Sequence, residues 1–297
     1  MLNVTQHSVI KMTHFQQLIS CIDLHSILDR SDLVLLDASI PPVGNMKAAE
    51  FSWPTHAIPN ARRFDLNKDF SDLDSQLPHT MPSADHFERA AQALGINQQS
   101  QIVIYDDLGL FSAARAWYMF KAMGHKNVAV LDGGLPYWVK MNKPLVSAEN
   151  NLKVASKLLT GDFIAKANEN YFCDWQEIEK QTQQQTELIL DARANARFKG
   201  EAAEPRAGVR SGHIPNSKNL PFSDLLIEGV FKSTDDVVEI FKRLNANNKP
   251  MIMSCGSGVT ACVLALAANI SGLHDVRVYD GSWSEWGSLE HTKVDKG

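Results

Sequence analysis

The sequence repeats one pattern, and this repeat constrains the fold more than any other feature. Each half contains two short apolar runs, an Ile-Pro-Asn turn, and an Asp-Gly dipeptide followed by a tryptophan. These features stand at 33–38, 58–61, 102–106 and 132–138 in the first half and at 188–192, 214–217, 251–255 and 280–286 in the second. Asp132 precedes Trp138 by six residues, as Asp280 precedes Trp286. The chain therefore consists of two copies of one structural unit.

The apolar runs predict the class of fold. They are short and rich in branched side chains, which is typical of strands buried in a parallel sheet. Helical patterns, such as those at 112–123 and 259–270, lie between them. Strands that alternate with helices indicate an α/β fold, with a mostly parallel sheet and helices on both faces in each copy. We predict one domain at 15–143 and another at 162–290, joined by a polar linker at 144–161.

Composition excludes several classes of function. Hydrophobic residues make up 44% of the 297 residues, and the net charge is −5. Since no block of like charge is present, we expect neither nucleic acid nor an anionic membrane as a partner. No stretch reaches the ~18 consecutive apolar residues of a membrane span. Residues 1–14 lack the apolar stretch of a secretory signal, which predicts a cytoplasmic protein.

The cysteines predict free thiols. Cys21, Cys173, Cys255 and Cys262 are too few for a disulfide framework in a chain of this length, and none has zinc-site spacing. We therefore predict a reducing compartment and no metal. Cys21 and Cys173 stand at similar places in the two repeats and are interpreted as packing residues. Cys262 falls on a predicted helix, where a buried thiol is favoured over a disulfide partner.

The segment around Cys255 combines the features of a reactive cysteine. A strand is predicted at 251–253 and a helix at 260–266, with Cys-Gly-Ser-Gly between them. Ligands of open α/β sheets bind at the carboxyl ends of strands. The glycines allow several backbone N–H groups to converge, and the following helix adds its positive dipole end. We expect these groups to lower the pKa of the Cys255 thiol and to leave a thiolate that a substrate can reach.

Two alternatives bear on this loop. A buried structural cysteine after a strand is as compatible with Cys-Gly-Ser-Gly alone. A cysteine phosphatase requires an arginine six positions after its nucleophile, and Ala261 stands there. The phosphatase interpretation is therefore rejected.

The same residues resemble a known family. The segment Cys-Gly-Ser-Gly-Val-Thr at 255–260 and the segment Asp-Gly-Ser-Trp-Ser-Glu-Trp at 280–286 are similar to those of tandem-domain rhodanese-like sulfurtransferases, in the 3-mercaptopyruvate branch. The resemblance implies two rhodanese-like domains and a sulfur carried on Cys255 as a persulfide. It implies that the N-terminal domain is inactive, with Asp106 at the cysteine position. Substrate-binding loop residues are then Gly256, Gly258, Val259 and Thr260.

The resemblance also assigns two arginines to the substrate. In the 3-mercaptopyruvate branch, arginines at positions similar to Arg197 and Arg206 hold the substrate carboxylate and ketone. A guanidinium suits this role because its fork of donors matches a carboxylate in two contacts. Rhodaneses that prefer thiosulfate generally lack the second arginine and carry basic residues where this chain has Gly256 and Ser257. Arg193 is interpreted as an ion-pair partner that ties the loop to the sheet.

A histidine of the first domain completes the predicted site. His79 is similar to a histidine that the family places near the active cleft, and with Ser257 it would assist proton transfer. The family's acidic residue about a dozen positions earlier is Asn67 here, so Asp65 or Asp69 would have to replace it. His79 as an ordinary loop histidine remains an alternative.

The expected function is transfer of sulfur from 3-mercaptopyruvate, a small-molecule donor, through Cys255 to a thioredoxin-like protein, a small thiol or cyanide. No cofactor is expected, since the chain has neither GxGxxG nor GxxxxGK[ST]. The expected state is a monomer or weak dimer. Two alternatives stay open: a thiosulfate:cyanide sulfurtransferase, and a non-catalytic carrier that receives persulfide from a partner protein.

Overall fold

The computed structural model describes residues 16–40, 55–155, 159–246 and 249–297. The N-terminal segment used to predict location, residues 1–14, lies outside these ranges, as does the predicted start of the first domain. No helix among the described residues is long and apolar enough to cross a membrane.

The first half of the chain forms a five-stranded parallel sheet and its helices. The sheet has the strand order β1-β6-β5-β2-β4, and the remaining strands β3 and β7 pair antiparallel beside it. The strands are β1 (Leu18–Ile19), β2 (Leu33–Asp37), β3 (His56–Ala57), β4 (Arg62–Arg63), β5 (Gln101–Tyr105), β6 (Val128–Leu131) and β7 (Val146–Ser147). The helices are α1 (Cys21–Ile27), α2 (Ala84–Ala93), α3 (Ala113–Ala122), α4 (Gly134–Lys140) and α5 (Ala148–Ala155).

The second half repeats this architecture. Its parallel sheet has the strand order β10-β9-β13-β14-β8, and β11 and β12 form a separate hairpin. The strands are β8 (Phe172–Cys173), β9 (Leu188–Asp191), β10 (Lys218–Asn219), β11 (Leu226–Ile227), β12 (Val230–Phe231), β13 (Met251–Ser254) and β14 (Val276–Tyr279). The helices are α6 (Trp175–Gln184), α7 (Asn195–Phe198), α8 (Thr234–Arg243), α9 (Ala261–Ile270) and α10 (Ser282–Trp286). The predicted duplication is confirmed, because equivalent strands occupy equivalent places in the two sheets.

Both faces of each sheet are buried, as the unbroken apolar runs predict. In β5, Ile102 and Ile104 face one hydrophobic core, while Val103 and Tyr105 face another. The first of these cores continues into the second domain, where it includes the apolar side chains of α9. Helices α3 and α9 pack against each other at its centre. Each of these helices follows the central strand of its own sheet, so the packing brings the carboxyl ends of β5 and β13 into the domain interface.

The predicted linker contains regular structure. Within 144–161, β7 pairs with β3 of the first domain, and α5 follows directly. Asn151 of α5 donates a hydrogen bond to the carbonyl of Ile58 (2.9 Å) and accepts one from the N–H of Asn60 (3.1 Å). The first part of this segment therefore packs on the N-terminal domain, since the Asn151 side chain satisfies backbone hydrogen-bonding groups of the turn at 58–61.

Candidate active site

Cys255 lies at the carboxyl end of the central strand β13, where the chain turns into α9. The hydroxyl oxygen of Ser282 accepts the N–H groups of Cys255 and Gly258, each at 3.1 Å, and donates to the carbonyl of Tyr279. Gly258 has φ 73°, and a Cβ there would lie 2.7 Å from the carbonyl oxygen of Asp280. The loop therefore requires glycine at this position.

The outer side of the loop is held by the start of α10. The N–H of Trp283 donates to the carbonyl of Cys255 (3.0 Å), and the N–H of Ser284 donates to the carbonyl of Gly256 (2.9 Å). The hydroxyl of Ser284 donates to the same Gly256 carbonyl at 2.5 Å. With its carbonyls directed outward to these donors, the loop is fixed in a conformation that leaves other N–H groups for the interior.

Those N–H groups are available to bind an anion. Within the described part of the chain, no oxygen accepts the backbone N–H groups of Gly256, Ser257, Val259 or Thr260. Helix α9 also lacks a side-chain cap. Converging N–H groups at a helix start favour negative charge. The loop therefore suits a thiolate or a persulfide anion at Cys255.

The first domain provides a comparison for this loop. Asp106 stands at the end of β5, as Cys255 stands at the end of β13. Its buried carboxylate accepts the N–H groups of Leu108 (3.0 Å), Phe111 (2.8 Å) and Ala113 (2.8 Å). Burial raises the pKa of Asp106, and these N–H groups act in the opposite direction. The carboxyl group of Asp106 thus accepts three backbone N–H groups at the place where the second copy of the loop holds a cysteine.

The expectation of an accessible thiolate is wrong for this conformation, because Cys255 is only 1% exposed. Ser257 and Val259 are buried as well, whereas Gly256 and Arg206 retain partial exposure. The physical reason is the domain interface, which closes over the end of the central strand.

The other cysteines are poor nucleophiles. Burial raises the pKa of Cys21 to about 11 and that of Cys262 to about 12, and it raises the pKa of Cys173 further above its usual range. A thiol with such a pKa is protonated near neutrality and unreactive. Cys262 lies on α9, and its thiol donates to the carbonyl of Gly258 at 3.2 Å. All four cysteines are free.

Arg193 forms the ion pair predicted for it. Its guanidinium binds the carboxylate of Asp191 (2.6 Å) and that of Glu204 (2.8 Å), and it lies 4.3 Å from the ring centroid of Trp283. The Arg193 side chain is 1% exposed. Glu204 was not predicted as a partner of Arg193, although it stands only eleven residues after Arg193 in the sequence.

The two predicted substrate arginines border the loop but differ in their partners. Arg197 pairs with Glu204 at 2.5 Å, and its guanidinium lies 3.2 Å from the position that a Cβ of Gly256 would occupy. Arg206 donates to the hydroxyl of Ser284 at 3.0 Å and lies near enough to Cys255 for their charges to interact. Arg206 is therefore a cation near Cys255, and no carboxylate of the described residues is hydrogen-bonded to Arg206.

His79 reaches the loop from the first domain. Its Nδ1 lies 3.1 Å from the hydroxyl of Ser257. Burial, together with the positive charges of Arg115 and Arg206, lowers the pKa of His79 to about 3. The imidazole is consequently neutral at physiological pH and is a weak base, and its Nδ1 shares one hydrogen bond with the Ser257 hydroxyl.

The carboxylate of a Ser–His–Asp relay is missing. No carboxylate of the described residues hydrogen-bonds to the His79 ring. Asn67 is exposed, and Asp65 accepts the Asn67 N–H instead. The backbone carbonyl of Asp69, rather than its carboxylate, contacts His86. Ser257 and His79 therefore form a pair that orients a hydroxyl group.

Among the described residues, no group of three or more His, Cys, Asp or Glu side chains is placed to hold a metal ion.

The chain is similar to known proteins over most of its length. A family model described as "Rhodanese-like domain" matches residues 20–141 and 174–289. The chain is 40% identical over 260 residues to human 3-mercaptopyruvate sulfurtransferase, covering 86% of this chain and 84% of that protein. It is 38% identical over 259 residues to rat thiosulfate sulfurtransferase, with 86% and 84% covered.

A solved structure agrees with these matches. The crystal structure of the 3-mercaptopyruvate sulfotransferase of Escherichia coli superposes with a TM-score of 0.78 at 33% identity. The match covers 90% of this chain and 99% of that one.

Proposed function

The chain belongs to the rhodanese-like family of sulfurtransferases, and from that premise we propose that it transfers sulfur from 3-mercaptopyruvate through a persulfide on Cys255. The single observation that carries the proposal is the loop after β13, which presents its unpaired N–H groups beside a cysteine and places Arg206 next to it. Relatives named for 3-mercaptopyruvate across most of this chain's length support the choice of donor.

The chemistry follows from the residues around the sulfur. The Cys255 thiolate attacks the substrate sulfur, and the carbon–sulfur bond breaks with its electron pair passing to carbon, which releases the enolate of pyruvate. Arg206 and Arg197 hold the substrate carboxylate and ketone and stabilise the enolate charge until it takes up a proton. The hydroxyl of Ser257, oriented by His79, contributes a hydrogen bond.

The second half-reaction restores the thiolate. An acceptor thiolate attacks the outer sulfur of the persulfide, and the sulfur–sulfur bond breaks with its electron pair returning to Cys255. A thioredoxin-like protein or a small thiol is the proposed acceptor, and cyanide serves in an assay. We further propose a cytoplasmic location, which the free cysteines support, and a monomer or weak dimer as the active form.

A second candidate donor is thiosulfate, because a thiosulfate sulfurtransferase is also among the similar proteins. We expect kcat/KM to be higher for 3-mercaptopyruvate than for thiosulfate, since Gly256 and Ser257 provide no basic side chains to bind the sulfonate oxygens of thiosulfate. Steady-state rates on both donors, with cyanide as acceptor, test this expectation. A preference for thiosulfate would refute the proposed donor, and loading only by a desulfurase would favour a carrier.

Replacing Arg206 tests how the donor is held. We expect Arg206→Gln to lower kcat/KM for 3-mercaptopyruvate by about tenfold to a hundredfold, because a charge-assisted pair with the substrate is lost. Arg206→Lys keeps the charge but loses the two-contact fork, so it should recover only part of the loss. Unchanged kcat/KM in Arg206→Gln would show that Arg206 does not bind the substrate.

A further inference from the structure

A buried ion pair joins the two domains directly behind the active loop. The carboxylate of Asp280, which follows β14, contacts the guanidinium of Arg115 on α3 at 2.6 Å. Arg115 belongs to the inactive domain, and its side chain is fully buried. Its guanidinium also lies 4.9 Å from the ring centroid of Phe172. The sequence does not single out this arginine, because it stands within a largely apolar helix.

The pair holds the backbone on both sides of His79. Arg115 donates from Nη2 to the His79 carbonyl at 2.8 Å. The other carboxylate oxygen of Asp280 accepts the N–H of Met81 at 2.8 Å. Between these two contacts, His79 adopts φ 61°, a left-handed conformation that costs free energy in a residue other than glycine and persists only where its surroundings hold it.

The opposite end of the molecule provides an internal comparison. Asp132 stands in the first repeat where Asp280 stands in the second, and its carboxylate accepts the N–H of Phe231 at 3.0 Å. Gly229, with φ 83°, precedes Phe231 by two residues, as His79 precedes Met81. Each Asp-Gly motif thus receives a backbone N–H from a loop of the other domain. Glycine occupies the inactive end and histidine the active end.

The arginine occurs at the active end alone. Arg115 is the third residue of α3, and the third residue of α9 is Val263. At the inactive end, the Asp132 carboxylate accepts the Phe231 N–H, and no cation of the described residues forms a salt bridge with it. Stability does not explain Arg115, because burying an ion pair costs desolvation, and its Nε and Nη1 have no hydrogen-bond partner among the described residues.

We propose that Arg115 and Asp280 are positioning residues, which hold the imidazole of His79 against the Ser257 hydroxyl and thereby orient that hydroxyl for sulfur transfer. This inference rests on the proposed function, in which Ser257 assists Cys255. The inactive domain then has a defined role in the reaction: it supplies His79 and the cation that fixes it.

The test removes both charges together, since Asp280→Asn alone would leave Arg115 buried without a counter-ion and could unfold the chain. We expect the double variant Arg115→Met/Asp280→Asn to fold and to lose about tenfold in kcat, close to the loss in His79→Ala, because one oriented hydrogen bond is lost in each case. The triple variant that adds His79→Ala should fall no further. An additive, roughly hundredfold loss would overturn the proposal, as would wild-type kcat in the double variant.

The matched control is Asp132→Asn at the inactive end. It weakens the corresponding contact to Phe231 but touches no residue near Cys255. We expect its kcat to equal that of the wild type. A loss as large as that of the double variant would mean that the carboxylates of Asp132 and Asp280 both act by docking the domains, and that Asp280 does not act by positioning His79.

A second readout is independent of sulfur transfer. The groups that face His79 are Ser257 and the cations Arg115 and Arg206, and burial among them lowers its pKa to about 3. In the double variant the ring loses one cation and its fixed position, so its NMR titration should move towards the ordinary value near 6.5. An unchanged titration would overturn the proposal. Absence of turnover on 3-mercaptopyruvate would refute the proposed function and leave this test in force.

Discussion

Cys255→Ser is expected to abolish sulfur transfer while leaving the fold intact. An alcohol at neutral pH supplies no thiolate to attack the donor sulfur, and its oxygen cannot carry the sulfur as a persulfide. We expect kcat with 3-mercaptopyruvate and cyanide to fall by at least about a thousandfold. The backbone contacts of residue 255 to Ser282 and Trp283 do not involve the side chain, so the thermal unfolding midpoint should stay close to that of the wild type.

The matched control is Cys21→Ser in the first domain. Cys21 is buried beside β6 and far from the loop in sequence, and its thiol makes one long contact, 4.0 Å, to the carbonyl of Asp132. We expect wild-type turnover from this variant. Retained turnover in Cys255→Ser, or its loss in Cys21→Ser, would show that the nucleophile is misassigned.

Glu204→Gln is expected to produce the largest loss of stability. The Glu204 side chain is 4% exposed and binds both Arg193 and Arg197. Breaking a buried ion pair costs about 3–5 kcal/mol when one charge is left behind, and the lower value applies here because Arg193 keeps Asp191. With about 2–4 °C per kcal/mol for a domain of this size, the unfolding midpoint should fall by roughly 6–12 °C.

An exposed ion pair provides the comparison for Glu204. Glu228 pairs with Lys140 across the domains, with both side chains largely in solvent. Glu228→Gln should leave the unfolding midpoint unchanged, because exposed pairs contribute little. If calorimetry finds equal midpoints for Glu204→Gln and Glu228→Gln, the buried cluster does not stabilise the second domain.

The fold could be predicted because its signals are local. Residues in β5 and β13 are apolar at consecutive positions, which predicts burial on both sheet faces. The repeat supports this prediction, because the same pattern occurs in both halves of the chain. Helix α9 begins at Ala261, one residue after the predicted start, because the loop extends to Thr260. The strand pair at β3 and β7 was not predicted, since two-residue strands leave no periodic pattern.

The site could be predicted only in part. Cys255 and the glycines of its loop are close together in the chain, so a reactive cysteine could be predicted from the sequence. The burial of Cys255 and the contact between Asp280 and Arg115 depend on how the domains dock. Arg115 and Asp280 are separated by 165 residues in the sequence. The pairing of Arg197 with Glu204 depends on the path of the loop between α7 and β10, for which the sequence contains no periodic signal.

The most direct test of a persulfide on Cys255 is a mass spectrum of the protein after treatment with 3-mercaptopyruvate without an acceptor, followed by digestion under non-reducing conditions. We predict a gain of one sulfur atom on the peptide that contains Cys255 and its loss when cyanide is added. An unmodified Cys255 peptide, or the extra sulfur on Cys21, Cys173 or Cys262 instead, would contradict the mechanism.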